Sequence, residues 1–343
     1  MRSGNGQRQN YSKNRGCCQM IEHSKNWRDF EIIATGNGEK LERWGDIILL
    51  RPDPQAIWNA EFDFSNYAGL AGRYIRSASG GGSWSWYKNI PTEWTIGYKN
   101  LKFIISPMNF KHTGLFPEQA VNWDKMQKTI NNPPRILNLF AYTGGATVAC
   151  ASVGAIVTQV DSSRGMTDVA KQNCKLNNIP HENTRFIVDD CKKFVEREIR
   201  RGNKYDAIIM DPPNFGRGAN NEIWKLEDDL NSLVKNCCSL LSDNPLFFLI
   251  NNYTASVQPT VIANVLQKNL TEHIRQNSPS FLSPATPQSN IVSADTGTTL
   301  THFLSPTTPQ STPKFTLECY EIGLPTREKI VLPCGCSVFV KFV

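Results

Sequence analysis

Apolar and polar positions alternate differently on the two sides of about residue 135. From there to about residue 275, short apolar runs alternate with segments of helical composition. Arg135–Phe140 is one such run, closed by the small-residue turn Ala141-Tyr142-Thr143-Gly144-Gly145. Ala146–Ser152 then reads as helix, Gly154 ends it, and Ala155–Val160 is a second strand stopping on Asp161. Thr184–Asp190 is a third strand ending in acids, and Tyr205–Phe215 a fourth, running into Asp-Pro-Pro-Asn-Phe. Helices are predicted over Ser163–Asn177, Cys191–Arg201, Glu222–Leu241 and Gln258–Ile274, with a fifth strand at Pro245–Asn251. Buried strands separated by helices make a doubly wound parallel α/β sheet. Phe315–Ile322 and Ile330–Phe342 supply two more strands as a closing hairpin.

Upstream the pattern belongs to antiparallel strands. Residues 29–107 read as a small β-rich accessory domain with a Gly-Asn-Gly turn at 36–38 and a hairpin over Trp94–Ser106, turning at Lys99-Asn100. Of the eight tryptophans, six fall between residues 27 and 94, which makes this part a candidate for presenting the substrate. Aromatics beside Arg73, Arg76 and Lys88 either stack on unpaired bases or pack one side of the sheet. Residues 1–28 are a basic, polar leader expected to be disordered. Residues 276–314 are rich in Ser, Thr and Pro and carry a near-repeat, FLSPATPQS and FLSPTTPQS. They are expected to form a disordered surface insertion.

In an open parallel sheet the ligand sits beyond the carboxyl ends of the strands. An acid about 20 residues after a glycine turn, at the second strand's end, can hold both ribose hydroxyls. Asp161 stands there relative to Thr143. The turn is not GxGxxG, so a ribose-bearing cofactor without a pyrophosphate, S-adenosylmethionine, is expected. LNLFAYTGGATVA, Val160-Asp161, VDDC at 188–191 and DPPNF at 211–215 then resemble, in order, four motifs of the class I S-adenosylmethionine-dependent methyltransferases. The segment FKHTGLFPEQAVNW at 110–123 is similar to one found in the large-subunit (23S) ribosomal RNA methyltransferase group.

The resemblance implies a Rossmann-like seven-stranded sheet in the order 3-2-1-4-5-7-6 within residues 108–343. It implies that Asn138, Phe140, Ala141, Tyr142, Thr143 and Gly144 lie against the cofactor, and that Asp161 with Ser162 takes the ribose. Asp190 and Cys191 would meet the adenine, with Thr113 and Gln119 lining the site. Relatives commonly carry a Gln-Arg pair here, whereas Ala120 follows Gln119 in this chain. Asp211, Pro212 and Phe215 are the catalytic candidates: an acceptor carboxylate, an outward carbonyl and a ring to stack on an extruded base.

Composition narrows the chemistry. A net charge of +6 suits a polyanionic partner such as ribosomal RNA. Ten cysteines without a CxxC pair, and five scattered histidines, argue against zinc and against a disulfide framework. The lack of a signal-peptide pattern or an apolar span points to a soluble, cytoplasmic protein without membrane contact. The expected activity is methylation of an RNA base at an exocyclic amine. The alternatives are cytosine carbon-5 methylation, which needs a thiolate, methylation of a protein or small molecule, and a non-catalytic cofactor-binding module.

Overall fold

The computed structural model describes residues 21–77, 81–107, 111–217, 223–254, 256–277, 299–301 and 315–343. The amino-terminal sheet runs β1 (Phe30–Gly36), β2 (Glu39–Trp44), β3 (Ile47–Pro52), β4 (Leu70–Arg76) and β5 (Gly82–Trp86), paired in that order. All neighbours are antiparallel except β3 and β4, which are parallel. Asn37 and Gly38 turn β1 into β2 with φ of 53° and 76°, which explains the Gly-Asn-Gly signal. β6 (Trp94–Tyr98) and β7 (Leu101–Ile105) form the expected hairpin, which stands as a two-stranded sheet of its own.

The second half is built on α1 (Ala120–Thr129), β8 (Arg135–Leu139), α2 (Gly145–Ala151), β9 (Ile156–Asp161), α3 (Arg164–Leu176), β10 (Thr184–Val188), α4 (Cys191–Arg200) and β11 (Ala207–Met210). A short ribbon of β12 (Phe215–Arg217) and β13 (Ile223–Lys225) precedes α5 (Leu226–Cys238), β14 (Phe247–Asn252) and α6 (Pro259–Asn277). β15 (Thr299–Thr301), β16 (Phe315–Pro325) and β17 (Val331–Phe342) complete it. The large sheet is ordered β10-β9-β8-β11-β14-β17-β16-β15, so the expected seven-strand order holds.

Two expectations change. β15 adds an eighth strand at the edge, inside the segment read as unstructured, pairing antiparallel with β16. The rest of 278–314 lies outside the described residues, as do residues 1–20 of the leader. Residues 21–28 are not a free leader. The Glu22 N–H donates to the Glu321 carbonyl at 2.8 Å, and the Trp27 indole donates to the Pro117 carbonyl at 3.0 Å.

Parallel strands buried on both faces read as unbroken apolar runs, and β11 shows why. Ile208 and Met210 face the core under α4, α5 and α6, while Ala207 and Ile209 face the opposite core. That opposite core joins α1, α2 and the β6–β7 hairpin to Phe30, Ile32, Trp44 and Leu49 of the amino-terminal sheet. Trp123 is its hub, with ring centroids 5.7 Å from Tyr98, 4.9 Å from Phe103 and 6.2 Å from Trp27. The part read as accessory therefore shares a core with the large sheet.

The exposed edge of β7 is closed by α3. Asn177 accepts from Lys102 N–H at 2.8 Å and donates back to its carbonyl at 2.7 Å, while Asn173 accepts from Ile104 N–H at 2.9 Å. Asn173 also donates to the Thr143 carbonyl at 2.9 Å and is fully buried. Asn173→Ala strands both groups, each costing about 1–3 kcal/mol. Denaturant titration is expected to show that loss at an unchanged m-value.

Candidate active site

After β8 the backbone turns sharply, and three residues enter the left-handed region: Phe140 at φ 55°, Tyr142 at 50° and Gly144 at 81°. Only the glycine does so without steric cost. Several bonds hold the other two. Asp161 Oδ2 accepts from Tyr142 N–H at 2.8 Å, Gln159 Nε2 donates to the Tyr142 carbonyl at 3.1 Å, and the Thr143 hydroxyl donates to the Gly114 carbonyl at 2.6 Å. Asp161 Oδ1 accepts from Ser163 N–H at 2.8 Å. Burial raises the Asp161 carboxyl above its usual range, and those two N–H groups pull the other way.

This turn forms one wall of a cleft of about 430 Å³ at the carboxyl ends of β8 and β11. Of the candidate site residues, Asn138, Phe140, Ala141, Tyr142, Thr143, Gln119 and Asp211 line it. Others stand apart. Thr113 is buried, with no partner for its hydroxyl among the described residues. Gly144 faces inward, where a Cβ would come within 2.9 Å of Ala170 and Gln159. Asp161 lies beneath Tyr142, with Ser162 beside it. Asp190 caps α4 by accepting from Lys193 N–H at 3.0 Å. Cys191 is buried under Phe140, whose N–H reaches its Sγ at 3.4 Å, and burial pushes its thiol far up. Pro212 is buried, and Phe215 stays 53% exposed on the β12–β13 ribbon, away from the cleft lining.

Several residues of the site escaped sequence reasoning. Leu115, Phe116, Trp123, Gly145, Ala146, Ile209 and Asn251 also line it. Asn251 carried a signal, since two asparagines end an otherwise apolar strand. A buried polar network fixes the floor: Gln119 donates to the Tyr253 hydroxyl at 2.5 Å and accepts from Asn122 at 2.8 Å and Asn251 at 3.1 Å. Ser337 donates to Asn251 at 2.8 Å, and Tyr320 to Asn122 at 2.6 Å. Trp224 bonds the Pro213 carbonyl at 2.6 Å and packs 5.0 Å from Phe140, pinning the Asp-Pro-Pro loop. Beyond Tyr253 a second cavity of about 920 Å³ opens, walled by Gln55, Thr254, Glu321 and Cys334.

Asp211 is the electrostatic anomaly. Burial, reinforced by the nearby Glu118 charge, lifts its carboxyl to about 7. No hydrogen bond enters that shift. Glu118 is itself raised, by burial first, with Lys40 and Arg51 opposing. Those cations come from the amino-terminal sheet. Arg51 binds buried Glu42 through Nε at 2.6 Å and Nη2 at 2.9 Å, and donates from Nη1 to the Lys111 carbonyl at 2.7 Å. Burial, with Arg51, Lys111 and Lys40, pushes His112 down to about 4. The amino-terminal sheet thus clamps the segment that walls the cleft.

A parallel sheet in which β17 and the edge strand β15 run reversed, a backbone cradle after β8 and an acid ending β9 make the frame of a nucleoside-cofactor transferase. The S-adenosylmethionine-dependent methyltransferase family model matches residues 65–270, and the chain belongs to that family. It is 27% identical over 243 residues to ribosomal RNA large subunit methyltransferase K of Neisseria meningitidis serogroup B, covering 68% of each chain. It is 36% identical over 126 residues to a putative ribosomal RNA large subunit methyltransferase of Methanocaldococcus jannaschii, spanning 32% of that protein's length. The crystal structure of the SAM-dependent methyltransferase from Agrobacterium tumefaciens superimposes with a TM-score of 0.75 at 27% identity, covering 94% of this chain and 93% of that one.

S-adenosylmethionine is the cofactor of this family, and the residues present fit it. The cleft lining holds aromatic walls, a glycine-bearing backbone turn and a carboxyl, but no Lys or Arg for a phosphate among the described residues.

Asp211 also leaves a stability signature. Unfolded, its carboxyl titrates near 3.8; folded, near 7. Between those values the folded state keeps a proton that the unfolded chain has lost, so stability falls as pH rises and levels off above about 7. Asp211→Asn removes that loss. Its melting temperature is expected to match wild type at pH 4 and exceed it at pH 8; equal shifts at both would assign Asp211 an ordinary pKa.

Proposed function

We propose that the protein transfers a methyl group from S-adenosylmethionine to a base of ribosomal RNA, at an exocyclic amine. The relatives named as ribosomal RNA methyltransferases support the substrate class. The acceptor rests on one observation: the carboxyl of Asp211 takes no hydrogen bond from the described residues and sits in a cleft that none of their thiols lines. The bound cofactor supplies an electrophilic methyl group on a sulfonium. Everything else is positioning, which contributes on the order of 7–11 kcal/mol through effective molarity.

In this reading the Phe140–Gly144 turn and Asp161 seat the cofactor. Ionised Asp211 accepts an N–H of the amine and turns its lone pair toward the methyl, and the Pro212 carbonyl takes the second N–H. Phe215, with the Arg217 guanidinium 5.8 Å from its ring centroid, meets RNA at the rim. The acceptor enters from the wider cavity past Tyr253. Carbon-5 methylation of cytosine is disfavoured by the thiols: Cys191 is buried and bonded to Phe140 N–H, and burial raises Cys334 well above the reactive range.

The deciding experiment is methyl transfer from labelled S-adenosylmethionine to ribosomal RNA, followed by nucleoside analysis of the digest. An N-methylated nucleoside supports the proposal; label on cytosine carbon-5, on protein or nowhere removes it. Because Asp211 must be ionised to accept, kcat/KM is expected to rise with pH through about 7. Asp211→Asn should flatten that limb and lower kcat more than it raises KM. Asp161→Ala should weaken cofactor binding about 10- to 150-fold, the worth of one charge-assisted hydrogen bond. Calorimetric titration measures it, and equal affinities would take Asp161 out of the site.

A further inference from the structure

The six tryptophans between residues 27 and 94 separate into two kinds. Trp27, Trp44, Trp58 and Trp94 each donate their indole N–H to a protein acceptor, namely the Pro117 carbonyl, Glu42, the Thr35 carbonyl and the Trp44 carbonyl, at 3.0–3.2 Å. They are structural. Trp86 is not: it is 43% exposed on β5, the outer strand of its sheet.

The chain has made room for that ring. Trp86 pairs with Gly72, where a Cβ would come within 2.4 Å of the indole. Trp84 stacks parallel to it, with centroids 4.8 Å apart and 10° between planes, and Tyr74 braces Trp84 edge-on at 5.6 Å. Tyr74 pairs with Trp84 and Arg76 with Gly82, so Arg76 shares this face. Arg76 is exposed, as are Tyr87 at 54% and Lys88. Glu39 is bound to Arg73 on the opposite face at 2.9 Å.

We propose that this edge, Trp86 and Tyr87 with Arg76 and Lys88, docks an unpaired RNA segment flanking the acceptor nucleotide; this rests on the RNA reading above. Aromatic faces stack on any base, and cations beside them meet the phosphates. An apolar protein partner would need a continuous apolar surface, whereas here the rings stand beside the exposed cations Arg76 and Lys88. The surface also leads toward the cleft. Burial, then the charges of Lys40 and Arg76, depress the Lys111 ammonium, so the Arg76 charge reaches the segment that runs on into the cleft wall.

The test is binding of full-length protein to a labelled single-stranded RNA and to a duplex of equal length, with cofactor affinity measured in parallel. Trp86→Ala is expected to weaken single-strand binding about 5- to 150-fold, the range for one base–aromatic stack, with cofactor affinity unchanged. Trp86→Phe should retain most of the affinity. Arg76→Ala should weaken binding and lower the salt slope by about one. If wild type binds RNA and Trp86→Ala, Tyr87→Ala and Arg76→Ala all bind as tightly, the docking surface is wrong and the RNA reading survives. Tighter binding of duplex than single strand also overturns it. If wild type binds neither RNA, both proposals fall.

Discussion

The structure depends on keeping two side-chain-bearing residues, Phe140 and Tyr142, left-handed within a five-residue turn. Each costs on the order of 1–2 kcal/mol, and such strain persists only where the surroundings over-determine it. Here they do. Asp161 and Gln159 reach across from β9, Asn173 from α3, Thr143 back to Gly114, and Cys191 up from α4. Bonds from four separate segments converge on three residues, Phe140, Tyr142 and Thr143. The backbone facing the cleft is thus set by chain segments spread over nearly eighty positions, and the sheet order is what brings them together.

The amino-terminal sheet is held to this frame by two kinds of force. The aromatic cluster around Trp123 supplies non-directional burial, and the Glu42–Arg51 pair supplies direction. Arg51 is bidentate on a fully buried carboxylate, and its remaining nitrogen takes the Lys111 carbonyl. A buried pair of this geometry is costly to break from one side, because it leaves the partner charge desolvated. Its energetic worth is less the point than its aim. It fixes where the Lys111–Gln119 segment leaves the small sheet, and hence where Phe116 and Gln119 meet the cleft.

The parallel sheet was legible because fully buried strands leave continuous apolar runs, and because each run ended on polar residues or glycine. What depended on distant pairing was not. Glu118 reads as an acid complementing a helix dipole, and nothing local says that it will face Asp211. Phe215 stands two residues after the prolines, yet pairing with Lys225 carries it out of the cleft. Asp161 was legible as a strand-end acid, but its bond to Tyr142 N–H exists only once the intervening turn is left-handed. Tryptophan spacing could not separate anchored indoles from the exposed one, since the difference lies in which acceptors the fold brings near. β15 has the composition of a linker and becomes a strand because β16 offers it an edge.

Strand order has a consequence for how the chain is made. β17 lies between β14 and β16, and its Ser337 hydroxyl completes the network under the cleft. A growing chain that has not yet released residues 331–342 from the ribosome lacks that hydroxyl. It also presents β14, all six of whose residues end up buried, as a bare apolar sheet edge. Such an edge is a template for pairing with another chain. Until β17 arrives, the nascent protein is therefore both without a finished floor and at its most adhesive. The stretch from Phe315 to Phe342 is what covers that edge.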